Sequence, residues 1–212
     1  TKTKVKIAAF DLDYTLVKPK SGKKFPQDKD DWQKMYPNVI TRLQELSKDH
    51  LIVIFSNQKV SKTKQHKRKE IPEKISTIHK KWKTDFWAFL SFQDNRYRKP
   101  HIGMWELLEE QLGDEVEIDM KKSFYCGDAI GRKDDFSASD RHFAHNVGIN
   151  FYSPEEIFLN EKGKWKKSVT DNFDPSEYLV GALKKVKYVS EGTKAKKEIA
   201  ILVGYPGSGK TY

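Results

Sequence analysis

The chain of 212 residues carries 40 lysines and arginines against 30 acids, a formal charge of +10, and a single cysteine. That length suits one α/β domain with the start of another, and the lone Cys126 excludes a disulfide framework or a cysteine-clustered zinc site, as expected of a reducing compartment. No apolar run approaches the ~20 residues of a membrane span and no secretion-type segment follows the amino-terminal "TKTKVK", so the expectation is a soluble intracellular protein.

Along the chain, the apolar run 5–10 predicts a first strand, and it ends on Asp11 and Asp13 with Thr15 behind them. "NVITRLQELSKD" at 38–49 has apolar residues at three- and four-residue steps and predicts a helix. The run 51–56 predicts a second strand, ending on Ser56 with Asn57 beyond it. Basic blocks at 59–69 and 80–83 follow, then a strand over 86–92, the "RYRKP" segment holding Lys99, and a helix over 102–113. Short strands are expected at 123–127, just before Asp128, and at 147–151. Further basic blocks stand at 162–167 and 184–187. Residues 184–197 lose apolar periodicity and read as a basic linker, separating a domain over 1–183 from a new strand at 198–204.

Strand and helix in alternation predict an α/β fold, a mostly parallel sheet with helices on both faces. In such a sheet the ligand sits at the carboxyl ends of the strands, where Asp11, Ser56 and Asp128 all fall. The gaps from Thr15 to Ser56 and from Ser56 to Lys99 are too short for a large cap domain as well as the elements required there, so the crevice should be open. Lysine blocks around an open crevice suit a polyanion, because each phosphate contact releases condensed counterions. Trp82 and Trp165 stand beside lysines but are expected to be partial core residues, and Cys126 a core residue. His142 and His145 are expected on a helix surface or in packing.

Two acids one residue apart at a strand end repel unless something compensates their charge. Mg²⁺ is the natural compensator: it takes one or two carboxylates together with substrate phosphate oxygens. Asp128 offers a further acid, Lys99 a point charge for a phosphate, and Ser56 a hydroxyl donor.

Asp11-Leu-Asp13-Tyr-Thr15, Ser56, Lys99 and Gly127-Asp128, in that order, resemble the four motifs of the haloacid dehalogenase superfamily. The longer stretches "FDLDYTLVKPKSGKKFPQDKDDW", "VIFSNQ", "RKPHIGMWE" and "FYCGDAIGRKDDFSASDRHFAHNVGINFYSPEEIF" resemble the phosphatase domain of the eukaryotic polynucleotide kinase 3′-phosphatase family. That resemblance implies a haloacid dehalogenase-like fold and a Mg²⁺-dependent enzyme that removes 3′-phosphates from DNA ends or breaks in repair, the alternatives being a small-molecule phosphatase of the same superfamily or a non-catalytic nucleic-acid-binding module. It also implies a nuclear monomer that meets repair scaffold proteins and no membrane. Under it Asp11 is the nucleophile that becomes an aspartyl-phosphate, and Asp13 protonates the leaving oxygen and then activates water. Mg²⁺ is held by Asp11, the Asp13 backbone carbonyl and Asp128, with Ser56 and Lys99 on the phosphate. Thr15 and Asn57 support the site, and Asp135, with Asp134 close behind, is the second acid of the fourth motif. Tyr14 departs from the glycine common at its position, and the lysine-rich run after Gln58 replaces a glycine-containing turn.

The final "GYPGSGKTY" fits a phosphate loop, with Gly204, Gly209, Lys210 and Thr211 in place. The resemblance makes residues 198–212 the truncated start of an ATP-binding kinase domain, without 5′-kinase activity expected in this chain.

Overall fold

The computed structural model describes residues 2–60 and 66–167. The linker, the strand at 198–204 and the phosphate loop lie outside the described residues.

Apolar side chains alternating across a buried strand need a covering layer on each side. The central strand β2 (Ile7–Phe10) is fully buried and has parallel neighbours on both edges, β5 (Leu51–Asn57) and β8 (Phe124–Cys126). Outside these lie β6 (Trp87–Ser91) and β9 (Asn150–Tyr152), giving a five-stranded parallel sheet in the order β6-β5-β2-β8-β9. Ala8, Phe10, Ile52, Ile54, Phe124 and Cys126 point to one face. There they pack against α1 (Val39–Leu46), α2 (His66–Trp82) and α5 (Pro154–Leu159) through Leu43, Ile78, Trp82 and Phe158. Ile7, Ala9, Val53, Phe55 and Tyr125 point to the other, against Trp105 and Leu108 of α3 (Gly103–Leu112) and Phe143 of α4 (Ser139–Val147). The expected parallel sheet with helices on both faces is the one observed.

Several boundaries differ from the sequence expectation. The run 5–10 forms two strands because the chain crosses at Lys6 from a small parallel pair, β1 (Thr3–Val5) with β7 (Val116–Ile118), into the main sheet. The strand expected from 147 begins at Asn150, since Val147 closes α4 and Gly148, at φ 85°, caps it in the left-handed conformation. The helix required between Ser56 and Lys99 was given no bounds from the sequence; it is α2, and it takes in residues 66–69 and 80–82 of the two basic blocks. A short antiparallel pair, β3 (Val17–Lys18) with β4 (Gln33–Lys34), borders the carboxyl edge of the sheet, and no large cap is inserted among the described residues. Among the described residues no helix is long and apolar enough to cross a membrane. Trp82 is a core residue, in edge contact with Trp32, and Trp165 packs its ring against Phe151.

Candidate active site

The parallel sheet delivers its strand ends to one place. Asp11 follows β2 directly and its amide donates to the Cys126 carbonyl at 2.9 Å, so the chain is still pinned to β8 as the side chain leaves the core. The turn beyond is tight. Tyr14 takes a left-handed φ of 62° and its amide donates to the Val17 carbonyl at 2.7 Å. A tyrosine there costs about 1–2 kcal/mol in place of glycine, offset in part by its hydroxyl, which donates to the Lys24 carbonyl at 2.6 Å. Thr15, fully buried, shares hydrogen bonds with Asp128: its hydroxyl donates to the carboxylate and accepts from the Asp128 amide, both at 3.1 Å.

Lys99 enters from the loop between β6 and α3 and is 3% exposed. Asn57, at the end of β5, holds that loop with a reciprocal pair: its amide group donates to the Lys99 carbonyl and its oxygen accepts from the Lys99 amide. The Lys99 ammonium donates to Asp11 Oδ1 at 2.6 Å, to Tyr125 Oη at 2.6 Å and to Asp140 Oδ1 at 2.7 Å. Ser56 lies at the end of β5 with its hydroxyl accepting from Gln58 Nε2 at 2.9 Å. The same Gln58 amide group donates to Asp13 Oδ2, and Lys74 of α2 donates to Asp13 Oδ1 at 2.8 Å.

The structure therefore brings Asp11, Asp13, Thr15, Ser56, Asn57, Lys99 and Asp128 to one edge of the sheet. It does not bring Asp135 to the carboxylates. Asp135 Oδ2 accepts from three successive amides, Ile130, Gly131 and Arg132, and the Arg132 guanidinium pairs with it, so its carboxylate closes the loop after β8. Asp134 is exposed. The third acid beside Asp11 and Asp128 is Asp140, in the first turn of α4, which the sequence reading missed. Its Oδ2 accepts from the Ala129 amide at 3.0 Å, and Gly127 is needed opposite it, because any Cβ at 127 would overlap the Asp140 carboxylate. The available signal was that Asp140 heads the buried stripe Asp140, Phe143, Ala144, an acid where the helix pattern calls for an apolar residue.

Electrostatics follow from burial. Asp11 titrates well above the usual carboxylate range because burial penalises its charge and Asp140 and Asp128 add repulsion, against the opposing pull of Lys99. Asp128 is pushed up to about 7 by burial and by Asp140, against the Thr15 hydrogen bond. For Lys99, burial favours the neutral amine, but Asp11 and Asp140 outweigh it and the ammonium is held above its ordinary value. One lysine thus faces three acids whose oxygens can lie within 4.8 Å of one another. Hard carboxylate oxygens in uncompensated negative surroundings fit a divalent cation.

The rim is open. Phe25 is 67% and Phe136 85% exposed, and the Lys24 ammonium stands over both rings at 5.8 and 5.2 Å from their centres. A cavity of about 360 Å³, lined by Phe25, Lys29, Gln58, Lys59, Ile71 and Lys74, adjoins the Asp13 side.

Comparison with known proteins agrees with this architecture. The family described as Polynucleotide kinase 3 phosphatase matches residues 6–158. The chain is 35% identical over 211 residues to the bifunctional polynucleotide phosphatase/kinase of Schizosaccharomyces pombe, covering 99% of this chain and 50% of that protein. It is 31% identical over 208 residues to the polynucleotide 3′-phosphatase of Saccharomyces cerevisiae, covering 72% of this chain and 87% of that one. The chain spans about half the length of the bifunctional relatives it matches. Among solved structures, D,D-heptose 1,7-bisphosphate phosphatase from B. bronchiseptica, complexed with magnesium and phosphate, superposes with a TM-score of 0.53 at 17% identity, over 75% of this chain and 88% of that one. A Mesorhizobium loti structure described as a HAD-like phosphatase gives 0.51 at 15% identity, over 70% of this chain and 71% of that one. The fold is thus haloacid dehalogenase-like.

Proposed function

This chain belongs to the polynucleotide kinase 3 phosphatase family, and on that premise we propose that it removes the terminal phosphate from polynucleotide 3′ ends through an aspartyl-phosphate on Asp11. The observation that carries the proposal is the Asp11 carboxylate, buried at the tip of the central strand and gripped by Lys99 beside Asp128 and Asp140.

The chemistry divides into two displacements. In the first, an Asp11 carboxylate oxygen attacks phosphorus, the bond from phosphorus to O3′ breaks, and Asp13 delivers its proton to that oxygen. In the second, Asp13 takes a proton from water as the water oxygen attacks phosphorus. The bond to Asp11 then breaks, the Asp11 carboxylate returns, and inorganic phosphate leaves. Ser56 and Lys99 hold phosphoryl oxygens as charge redistributes, a role supported by the burial of both beside Asp11. Mg²⁺, held by Asp11, Asp128 and the Asp13 main-chain carbonyl, would supply the positive charge that lets a buried carboxylate approach an anionic phosphate.

DNA is the favoured polynucleotide. Support comes from the formal charge of +10 and from the open rim, where exposed Phe25 and Phe136 flanking Lys24 offer stacking faces and a cation to a strand end. We place the activity in DNA repair in the nucleus. Residues 198–212 are read in the same frame as the phosphate loop of a kinase part, a reading supported by the bifunctional name of the S. pombe relative.

The test compares Mg²⁺-dependent phosphate release from a 3′-phosphorylated oligonucleotide, its 5′-phosphorylated counterpart and small phosphomonoesters. The 3′-phosphorylated oligonucleotide should be preferred in kcat/KM by on the order of 10²-fold or more. Equal or better use of the small esters would overturn the polynucleotide reading while leaving the phosphatase chemistry intact.

A further inference from the structure

Helix α2 holds a lysine where its pattern requires an apolar residue. Lys74, Ile78 and Trp82 follow one another at four-residue steps and all three are buried, Lys74 at 5% exposure. The other described lysines of this helix, Lys69, Lys80 and Lys81, are exposed, the ordinary state of a residue whose charge is costly to bury. Lys74 is aimed at one group. Its ammonium lies 2.8 Å from Asp13 Oδ1, while Gln58 occupies Asp13 Oδ2. Next to it, Glu73 pairs with Lys29 at 2.7 Å and fastens α2 to the loop that borders the cavity.

The effect on Asp13 is positional. Asp13 stands two residues from Asp11, yet the acids whose oxygens converge are Asp11, Asp128 and Asp140, without Asp13. Lys99 holds Asp11 toward Asp140, and Lys74 and Gln58 hold Asp13 toward α2, so two lysines from different elements draw the two acids to different partners. In-line phosphoryl transfer needs that separation, because attacking and leaving oxygens stand on opposite sides of phosphorus. We infer that Lys74 is a positioning residue for the pair of displacements proposed above. It keeps the Asp13 carboxyl off the acid cluster and facing the leaving oxygen and, later, the attacking water.

This inference rests on the phosphatase reading but not on its preference for polynucleotides, so its test uses small esters. An alkyl phosphate depends on a well-placed proton donor for its leaving oxygen, whereas p-nitrophenyl phosphate, with a stable leaving anion, depends on it far less. Lys74→Met and Lys74→Gln are measured beside Lys74→Arg, with folding checked by thermal melting. Either neutral variant suffices if it folds. Turnover of the alkyl phosphate and of the 3′-phosphorylated oligonucleotide should fall by on the order of 10²-fold. Phosphoenzyme formation from p-nitrophenyl phosphate should fall several-fold at most, and Lys74→Arg should restore most of the loss. Equal losses on both esters would mark a purely structural lysine and overturn the inference, as would no loss on either. An unsubstituted protein that hydrolyses both esters but not the oligonucleotide would instead overturn the polynucleotide reading.

Discussion

Replacing Asp11 with asparagine is expected to abolish phosphate release from a 3′-phosphorylated oligonucleotide, by at least about 10⁴-fold in kcat, while leaving the fold intact. Asparagine keeps the shape and an oxygen for Lys99, but its amide does not attack phosphorus. The stability result should run the other way. Asp11 is held well above the usual carboxylate range by burial and by Asp140 and Asp128. The folded state therefore binds its proton more tightly than the unfolded state, and the ionised form costs stability increasingly as pH rises above the unfolded value of about 4. Without added metal, Asp11→Asn should melt at or above the temperature of the parent at pH 8, and the difference should shrink toward pH 5. A dead variant that melts far lower at every pH would assign Asp11 a scaffolding role.

Lys99→Met should be the most damaging single change to both activity and stability. Methionine matches the volume of the stem, so the loss is the charge. Asp11 and Asp140, whose oxygens lie 2.6 and 2.7 Å from the ammonium, are left without their shared cation in a buried site. Breaking a buried pair by removing one partner costs about 3–5 kcal/mol. In a domain of this size that is on the order of 10 °C in melting temperature. The sign with pH follows from Asp11: it already titrates above the usual carboxylate range, and with the Lys99 charge gone it rises further above its unfolded value, so the deficit grows from pH 5.5 to pH 8. Turnover should fall by about 10²–10³-fold, the scale of losing one preorganised charge contact to a transferring group. Thermal melts at the two pH values, beside oligonucleotide kinetics, check both claims. A variant that melts like the parent at pH 8 would contradict the buried electrostatic account.

The contrast between these acids and the residues found only in the structure shows what the sequence could express. Asp11, Ser56 and Asp128 were legible because each ends an apolar run, and a run of strand length fixes where its end must go in a parallel sheet. Lys99 was legible only through its family resemblance. It is one of 40 basic residues, and its burial depends on a loop that Asn57 pins from another strand. Asp140 and Lys74 were missed for a common reason. Each interrupts the buried stripe of a helix, and the interruption is visible only once the helix is recognised. In α2 exposed lysines and an internal Pro72 obscure the stripe of Ile71, Ile75, Ile78 and Trp82. Asp135, with Asp134 close behind, was assigned as the second acid of the fourth motif through the family resemblance alone, which does not distinguish a carboxylate that closes its own loop from one that reaches the site. Three consecutive amides claim it for the loop.

The claim on which the account turns is that phosphorus is transferred to Asp11 before it meets water. Mass spectrometry of protein quenched in acid during turnover of a 3′-phosphorylated oligonucleotide tests it directly. The account predicts a peptide spanning residues 7–18 that carries one phosphoryl group, sensitive to hydroxylamine and absent from Asp11→Asn. Full turnover with no such adduct at any quench time, or an equal adduct on Asp11→Asn, would contradict it.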